Sequence, residues 1–193
     1  MDTKKYYNEN AKEFFETTVN IKMKELYERF LNYMPSSGKI LDLGCGSGRD
    51  LVHFFNLGYE VLGVDNSVEL VNLAKEFSKL KVLQLDFHNL DFDNEFEGIW
   101  ACATLLHVKR DDLNEILKKS LIALKKNGIM YMSFKYGDFE GVRNGRYFND
   151  LNENLLNEEL KKLDNVELIE TWITQDKRPN RKEEWLNVII RKK

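Results

Sequence analysis

Apolar positions along this chain keep two rhythms that take turns. Short apolar runs near 39–43, 60–64, 81–85, 97–102 and 128–134 read as strands. Between them, 48–56, 67–78 and 111–124 repeat apolar side chains at helical spacing. Such alternation predicts a parallel sheet covered by helices on both faces, an α/β fold. Ahead of it, Phe14, Val19, Met23, Leu26 and Phe30 predict one or two helices within 8–33, closed by Pro35-Ser-Ser-Gly38. Behind it, 152–162 reads as a helix. Two strands follow, 166–173 and 185–190, around a polar connection that contains Pro179. No repeat or low-complexity segment interrupts the pattern.

Composition changes this picture little. The 193 residues are 42% hydrophobic and 32% charged with a net charge of −3, as in an ordinary globular protein large enough to bury a core. Nothing global calls for nucleic acid or an anionic membrane. The end of the chain is the local exception. Lys177, Arg178, Arg181, Lys182, Arg191, Lys192 and Lys193 stand against only Glu183 and Glu184. A solvated hairpin and a substrate-facing basic rim are both open readings there. Cys45 and Cys102 sit in apolar strand-end contexts, which predicts free thiols and a reducing compartment. The first residues lack an apolar signal core and no run is long enough to span a membrane, so the expected location is the cytoplasm.

The most informative stretch is Ile40-Leu-Asp-Leu-Gly-Cys-Gly-Ser-Gly48. An apolar strand runs into three glycines at alternate positions, and a helical run begins at Arg49. Glycine lets a backbone turn sharply and approach a ligand that a Cβ would block. The next strand ends in Asp65, about 20 residues on, where nucleoside-binding α/β units place a carboxylate for ribose hydroxyls. A dinucleotide fingerprint needs its third glycine where this chain has Arg49. Asp65-Asn-Ser67 also reads as a helix cap with Glu69 in the first turn.

This loop resembles motif I of the class I S-adenosylmethionine methyltransferases, and three later stretches extend the likeness. The resemblance implies a three-layer α/β/α Rossmann-like fold. Its seven-stranded, mostly parallel sheet has an antiparallel edge and the strand order 3-2-1-4-5-7-6. It implies one domain: a helical cap or lid at 1–35, a cofactor core at 36–135, and a substrate loop with closing strand pair at 136–193. The cofactor implied is S-adenosylmethionine, the product S-adenosylhomocysteine, with no metal. Gly44, Cys45, Gly46 and Gly48 would pass beneath the amino acid and ribose, and Asp42 would meet the ammonium. Asp65 matches motif II and Asn66 would lie along the adenine. Leu83-Gln-Leu-Asp86-Phe87 matches motif III, with Asp86 accepting from the adenine amine and Phe87 flanking the base. Phe96 to His107 covers motif IV, whose strand end up to Ala103 would face the methionine. Leu124-Lys-Lys-Asn-Gly128 resembles the family's L-K-P-G-G turn, with Asn127 able to take positive φ.

Methyl transfer from a sulfonium expels a neutral leaving group, so alignment and exclusion of water dominate. A base matters when the nucleophile carries a proton. His107 is the candidate base, with packing before Asp111-Asp112 as the other reading. His53 is expected to be structural and His88 a loop residue. Arg143-Asn-Gly-Arg146-Tyr147-Phe148 combines cations and aromatics where this fold builds its substrate wall, and arginine suits carboxylates. Tyr7 and Arg178 are further substrate candidates, with Tyr6 and Asn187 beside them.

Several subclasses are disfavoured. No Asp/Asn cluster or Cys/His spacing suggests a metal. An Asn/Asp-Pro-Pro-aromatic tetrapeptide is missing after the fourth strand, where Ala101-Cys102-Ala103-Thr104 stands. Cys102 lacks the preceding proline of cytosine C5 enzymes. The leading expectation is a methyltransferase acting on O, N or a chalcogen of a small molecule, as a monomer or homodimer. Two rivals are carried. The Arg-Tyr-Phe element and the Trp-Leu-Asn-Val strand resemble enzymes that esterify a carboxymethyl group on a tRNA wobble uridine. A non-catalytic S-adenosylmethionine-binding regulator is the other.

Overall fold

The computed structural model describes residues 3–178 and 181–193, so Pro179 lies outside the described residues. Three short helices come first, α1 (Thr3–Glu9), α2 (Ala11–Thr18) and α3 (Lys24–Leu31). Then follow β1 (Lys39–Leu43), α4 (Arg49–Asn56), β2 (Glu60–Asp65), α5 (Val68–Ser78), β3 (Val82–Gln84) and β4 (Phe96–Ala101). The remainder is α6 (Arg110–Ala123), β5 (Leu124–Lys135), β6 (Glu140–Arg143), β7 (Arg146–Asn149), α7 (Glu153–Leu160), β8 (Val166–Gln175) and β9 (Glu184–Lys192).

One seven-stranded sheet carries the order β3-β2-β1-β4-β5-β9-β8. The first five of these strands pair in parallel, and β9 runs antiparallel to both β5 and β8. The reversed strand therefore lies one place in from the edge, and β8 forms the edge itself. Alternation along each strand sends neighbouring side chains to opposite faces. Leu41, Ile99, Met130 and Ile190 join one apolar cluster with α6 and α7. Ile40, Trp100, Tyr131 and Ile189, one residue away on the same strands, join the other with α3, α4 and α5. Trp100 stacks on Tyr131 at a centroid distance of 4.1 Å, and both are fully buried.

Within 8–33 two helices form, α2 and α3, as expected, and α1 precedes them; one local expectation, at the hairpin, is corrected. Asn10 turns its amide onto the Tyr6 carbonyl at 2.8 Å, ending α1. Thr17 and Thr18 bond back to the Glu13 and Phe14 carbonyls at 2.7 and 2.6 Å, and these hydroxyls compete with the helix ladder and end α2. The stretch read as a substrate loop at 143–148 is instead the tip of a hairpin, β6–β7. Its turn residues Asn144 and Gly145 have φ of 48° and 78°. Asn-Gly supplies the two left-handed positions that a tight two-residue hairpin requires. Asn127, at 63°, does take the positive φ expected of the Leu124–Gly128 turn, where β5 bulges against β4.

Candidate functional site

A cavity lies at the C-terminal edge of the parallel strands, where open α/β sheets hold their ligands. Its volume is about 480 Å³. Its wall takes Gly44 to Ser47 after β1, Asp65 to Ser67 at the end of β2, and Asp86 to His88 after β3. Cys102 to Thr104 follow β4, Lys135 ends β5 and Trp185 opens β9. Tyr7 of α1 and Arg146 of the hairpin close the same space.

Backbone hydrogen bonds fix the glycine loop. The Gly44 and Cys45 N–H groups both donate to the Val64 carbonyl, at 2.8 and 3.0 Å. Gly44 has φ of 78°, and a Cβ there would stand 1.9 Å from Thr104 Oγ1, so the loop passes against the β4 end only without a side chain. Gly46 N–H donates to Asp65 Oδ2 at 3.0 Å, and Ser67 N–H to Asp65 Oδ1 at 2.9 Å. Burial pushes the Asp65 carboxyl upward while these N–H groups oppose the rise. Ser67 caps α5 through Leu70 N–H at 3.2 Å, as expected, and donates to Asn8 Oδ1 at 2.6 Å, which pins α1 over the loop.

Beyond Asp65, Asn66 Nδ2 donates to Asp86 Oδ2 at 2.8 Å. Burial pushes Asp86 up, but the His88 N–H, the His88 ring and the Asn66 amide outweigh it and hold the carboxyl low. Phe87 lies beside them on the wall. Ala103 takes φ of 54° and donates its N–H to Ser133 Oγ at 2.8 Å. Asp42 is set back from the cavity, 2% exposed, and its Oδ2 has no hydrogen-bond partner. Burial and then Asp50 push its carboxyl well up. A cationic ammonium is the group that would reverse both effects. Gly48 is also set back and packs on Ala74, where a Cβ would lie 3.2 Å from its Cα.

A charged group missed in the sequence supports the loop from below. Arg49 donates to both Asp50 oxygens, at 2.6 and 2.9 Å. Trp100 Nε1 donates to Asp50 at 2.8 Å, and the Tyr27 hydroxyl also bonds it. Burial works against this carboxylate, but Arg49 and the two aromatic donors keep it ionised. The signal present in the sequence was an acid directly after the glycine loop, on the face of α4 that also carries Leu51 and Phe54 into the core.

On the other wall, His107 sits between one hydroxyl and one carbonyl group. Its Nδ1 lies 2.6 Å from the Tyr147 carbonyl, which can only accept. Nδ1 therefore carries the proton, and the Nε2 lone pair accepts from the Tyr7 hydroxyl at 2.8 Å. Burial lowers the His107 pKa to about 4, against the pull of the Tyr147 carbonyl. The imidazole is thus neutral at neutral pH, with its Nε2 lone pair held by the Tyr7 hydroxyl. Burial raises the Tyr7 pKa, with Arg146 opposing.

The substrate candidates separate. Tyr7, Arg146, Tyr147 and Arg178 line the cavity. Arg143 does not. Its guanidinium holds both Asp150 oxygens, at 2.5 and 2.7 Å, and lies over Phe139 and Phe148, so it braces the hairpin. Arg178 faces the cavity but is already bound to Asp176, with Nε 2.9 Å from Oδ1. Tyr147 reaches His107 through its backbone, while its hydroxyl bonds Glu140. His53 stacks on Tyr27 at 3.7 Å, in keeping with a structural role. Both cysteines are free, and burial pushes the Cys102 thiol up to about 12, which keeps it protonated. Among the described residues no group of three or more His, Cys, Asp or Glu side chains is arranged to hold a metal, and no helix is long and apolar enough to cross a membrane.

Comparison with known proteins places this geometry. The fold matches a Burkholderia thailandensis 1,6-didemethyltoxoflavin-N1-methyltransferase, solved with bound 1,6-didemethyltoxoflavin and S-adenosylhomocysteine. The TM-score is 0.80 at 20% identity, over 98% of this chain and 86% of that one. A SAM-dependent methyltransferase of Methanosarcina mazei matches at a TM-score of 0.74 and 20% identity, over 86% of this chain and 97% of that one. The fold is therefore the Rossmann-like methyltransferase fold. The family model described as methyltransferase domain matches residues 40–128, from β1 to the Asn127 turn. An uncharacterised methyltransferase of Staphylococcus carnosus is 26% identical over 167 residues, 79% of this chain and 81% of that protein. The ubiquinone biosynthesis O-methyltransferase of Pelagibacter ubique is 33% identical over 100 residues, 49% of this chain and 41% of that protein. Apart from the Staphylococcus protein, the chain spans about half the length of the curated relatives it matches, 41% to 53% of each. Motif, fold and family model point the same way: residues 40–128 match the methyltransferase domain, and the fold is shared with methyltransferases, one of them solved with bound S-adenosylhomocysteine.

Proposed function

We propose that this chain methylates a small molecule that enters the cavity beside Tyr7, His107 and Arg146. The observation that carries the reading is continuity. One cavity of about 480 Å³ joins the glycine loop, Asp65 and Asp86 to the Tyr7–His107 pair. That volume lies within the range of about 300–1,000 Å³ usual for small-ligand sites. Residues on and behind its wall fit the cofactor: a buried orphan oxygen on Asp42, behind the glycine loop, for an ammonium, a loop whose glycines leave room, and Asp65 for ribose hydroxyls. When bound, S-adenosylmethionine supplies a methyl group activated on a sulfonium.

The chain's own residues then orient the acceptor, exclude water and manage one proton. Tyr7, Phe14 and Ile21 of the N-terminal helices and their connection line the cavity and shield the acceptor from water. Where the accepting O or N carries a proton, the Tyr7 oxygen takes it as the Tyr7 hydroxyl proton moves to His107 Nε2. Nδ1–H stays on the Tyr147 carbonyl throughout. The fold alone does not fix this chemistry, since the [4+2]-cyclase SpnF shares it at a TM-score of 0.77 and 13% identity.

A tRNA acceptor would call for a free basic patch at Arg143, Arg146, Arg178 and Arg181. Three of the four already face carboxylates, on Asp150, Asp176 and Glu183. Calorimetry with S-adenosylmethionine tests the cofactor half of the reading, and label transfer from methyl-labelled cofactor to a small-molecule extract tests the acceptor half. Binding without transfer to any fraction would favour a regulator.

A further inference from the structure

Arg143 and Arg146 face each other across the β6–β7 hairpin as a cross-strand pair. Like charges directly opposite are unfavourable, so each guanidinium needs its own anion. Arg143 has one in Asp150. Arg146 has none among the described residues. Its Nε is buried without a hydrogen-bond partner, and its Nη1 reaches only the Tyr7 hydroxyl, at 3.4 Å. Around it stand the faces of Tyr6 and Phe148, with ring centroids 4.7 and 5.1 Å from Cζ.

Three other half-buried cations of this wall hold carboxylates. Arg49 holds Asp50, Lys135 holds Glu183 and Arg178 holds Asp176. Arg146 thus contributes an uncompensated charge to a cavity in which aromatic rings have already displaced part of its water. A guanidinium in that state gains most from a planar anion, because charge-assisted bonds strengthen as solvent is excluded.

The geometry points to an acceptor that carries a carboxylate, anchored by the Arg146 guanidinium at the hairpin side of the cavity. This rests on the reading of the cavity as an acceptor site and names the class of acceptor. Arginine suits the task better than lysine, since its planar fork matches a carboxylate and stacks on the flanking rings. The carboxylate serves as a handle, which leaves the Tyr7–His107 pair to the reacting group.

The test is a titration of the Arg146 Nε–Hε resonance in 15N-labelled protein saturated with S-adenosylhomocysteine, assigned by its loss in Arg146→Lys. The probes are benzoate and its neutral isostere benzamide. Benzoate is expected to shift the resonance to saturation while benzamide leaves it in place. In Arg146→Gln, benzoate affinity should fall at least ten-fold. An equal response to both probes, or no response to benzoate, overturns the proposal, and wild-type protein alone gives that answer. The methyl-transfer reading fails separately. Benzoate held at Arg146 with no label passing to any small molecule would keep the anion site and remove the enzyme. Label on a neutral compound with an unresponsive Arg146 would do the reverse.

Discussion

The Tyr7 hydroxyl lies 2.8 Å from His107 Nε2, although 100 residues separate them. This contact joins the first helix to the turn Leu105–His107 that follows the fourth strand, and the Tyr147 carbonyl fixes its direction from the far side of the ring. It gives the N-terminal segment a chemical part in the site. In Tyr7→Phe, kcat should fall on the order of 10²-fold, as for the loss of a positioned proton acceptor, with the affinity for S-adenosylmethionine unchanged. Steady-state kinetics beside calorimetry checks this. An unchanged kcat at every pH would leave Tyr7 as packing.

His107 also links stability to pH. Its native pKa is about 4 against an ordinary 6.5, so between those values the unfolded chain binds more protons than the folded one. The His107 contribution therefore makes stability fall as pH drops from 6.5 to about 4 and adds no slope above that window. Denaturant melts of wild type and His107→Gln at pH 4.5 and 7.5 test this. The difference between the two pH values should shrink in the variant. An equal difference in both proteins would place the titration elsewhere.

Asp65 should carry much of the cofactor affinity. Asp65→Ala is expected to weaken S-adenosylmethionine binding by about 2–3 kcal/mol, the scale of charge-assisted hydrogen bonds. It also frees the Gly46 N–H that Asp65 now holds. Calorimetry reads the change directly, and undiminished affinity would remove Asp65 from the ribose position.

Gly44→Ala should destabilise the fold before it touches chemistry. A left-handed alanine costs about 1–2 kcal/mol, and the new Cβ would also collide with Thr104 Oγ1. Thermal melts of Gly44→Ala and Gly44→Ala/Thr104→Ala separate the two contributions. The second substitution should recover only the collision. Full recovery would show that the backbone angle costs nothing.

Much of this site was legible because its carriers are local. The glycine loop, Asp65 and Asp86 stand at strand ends, and apolar periodicity locates strand ends. The hairpin was not read, although Asn144-Gly145 is its turn signal, because its strands of four residues each are too short for alternation to stand out from a charged loop. What no local pattern carries is the meeting of distant residues. Tyr7 on His107, Thr104 on Gly44, and Tyr27 and Trp100 on Asp50 arise only when β1, β4 and the first helices are brought together. The separation of Arg143 from Arg146 is of the same kind. Three residues apart, they are equivalent in sequence, and Asp150 distinguishes them.

The central claim is methyl transfer to a small molecule in this cavity. The most direct measurement incubates the pure protein with methyl-labelled S-adenosylmethionine and a cell extract divided into small-molecule, RNA and protein fractions. Label is expected in the small-molecule fraction with wild type and lost with Asp65→Ala. Label confined to RNA or protein, or absent from every fraction although the cofactor binds, would contradict it.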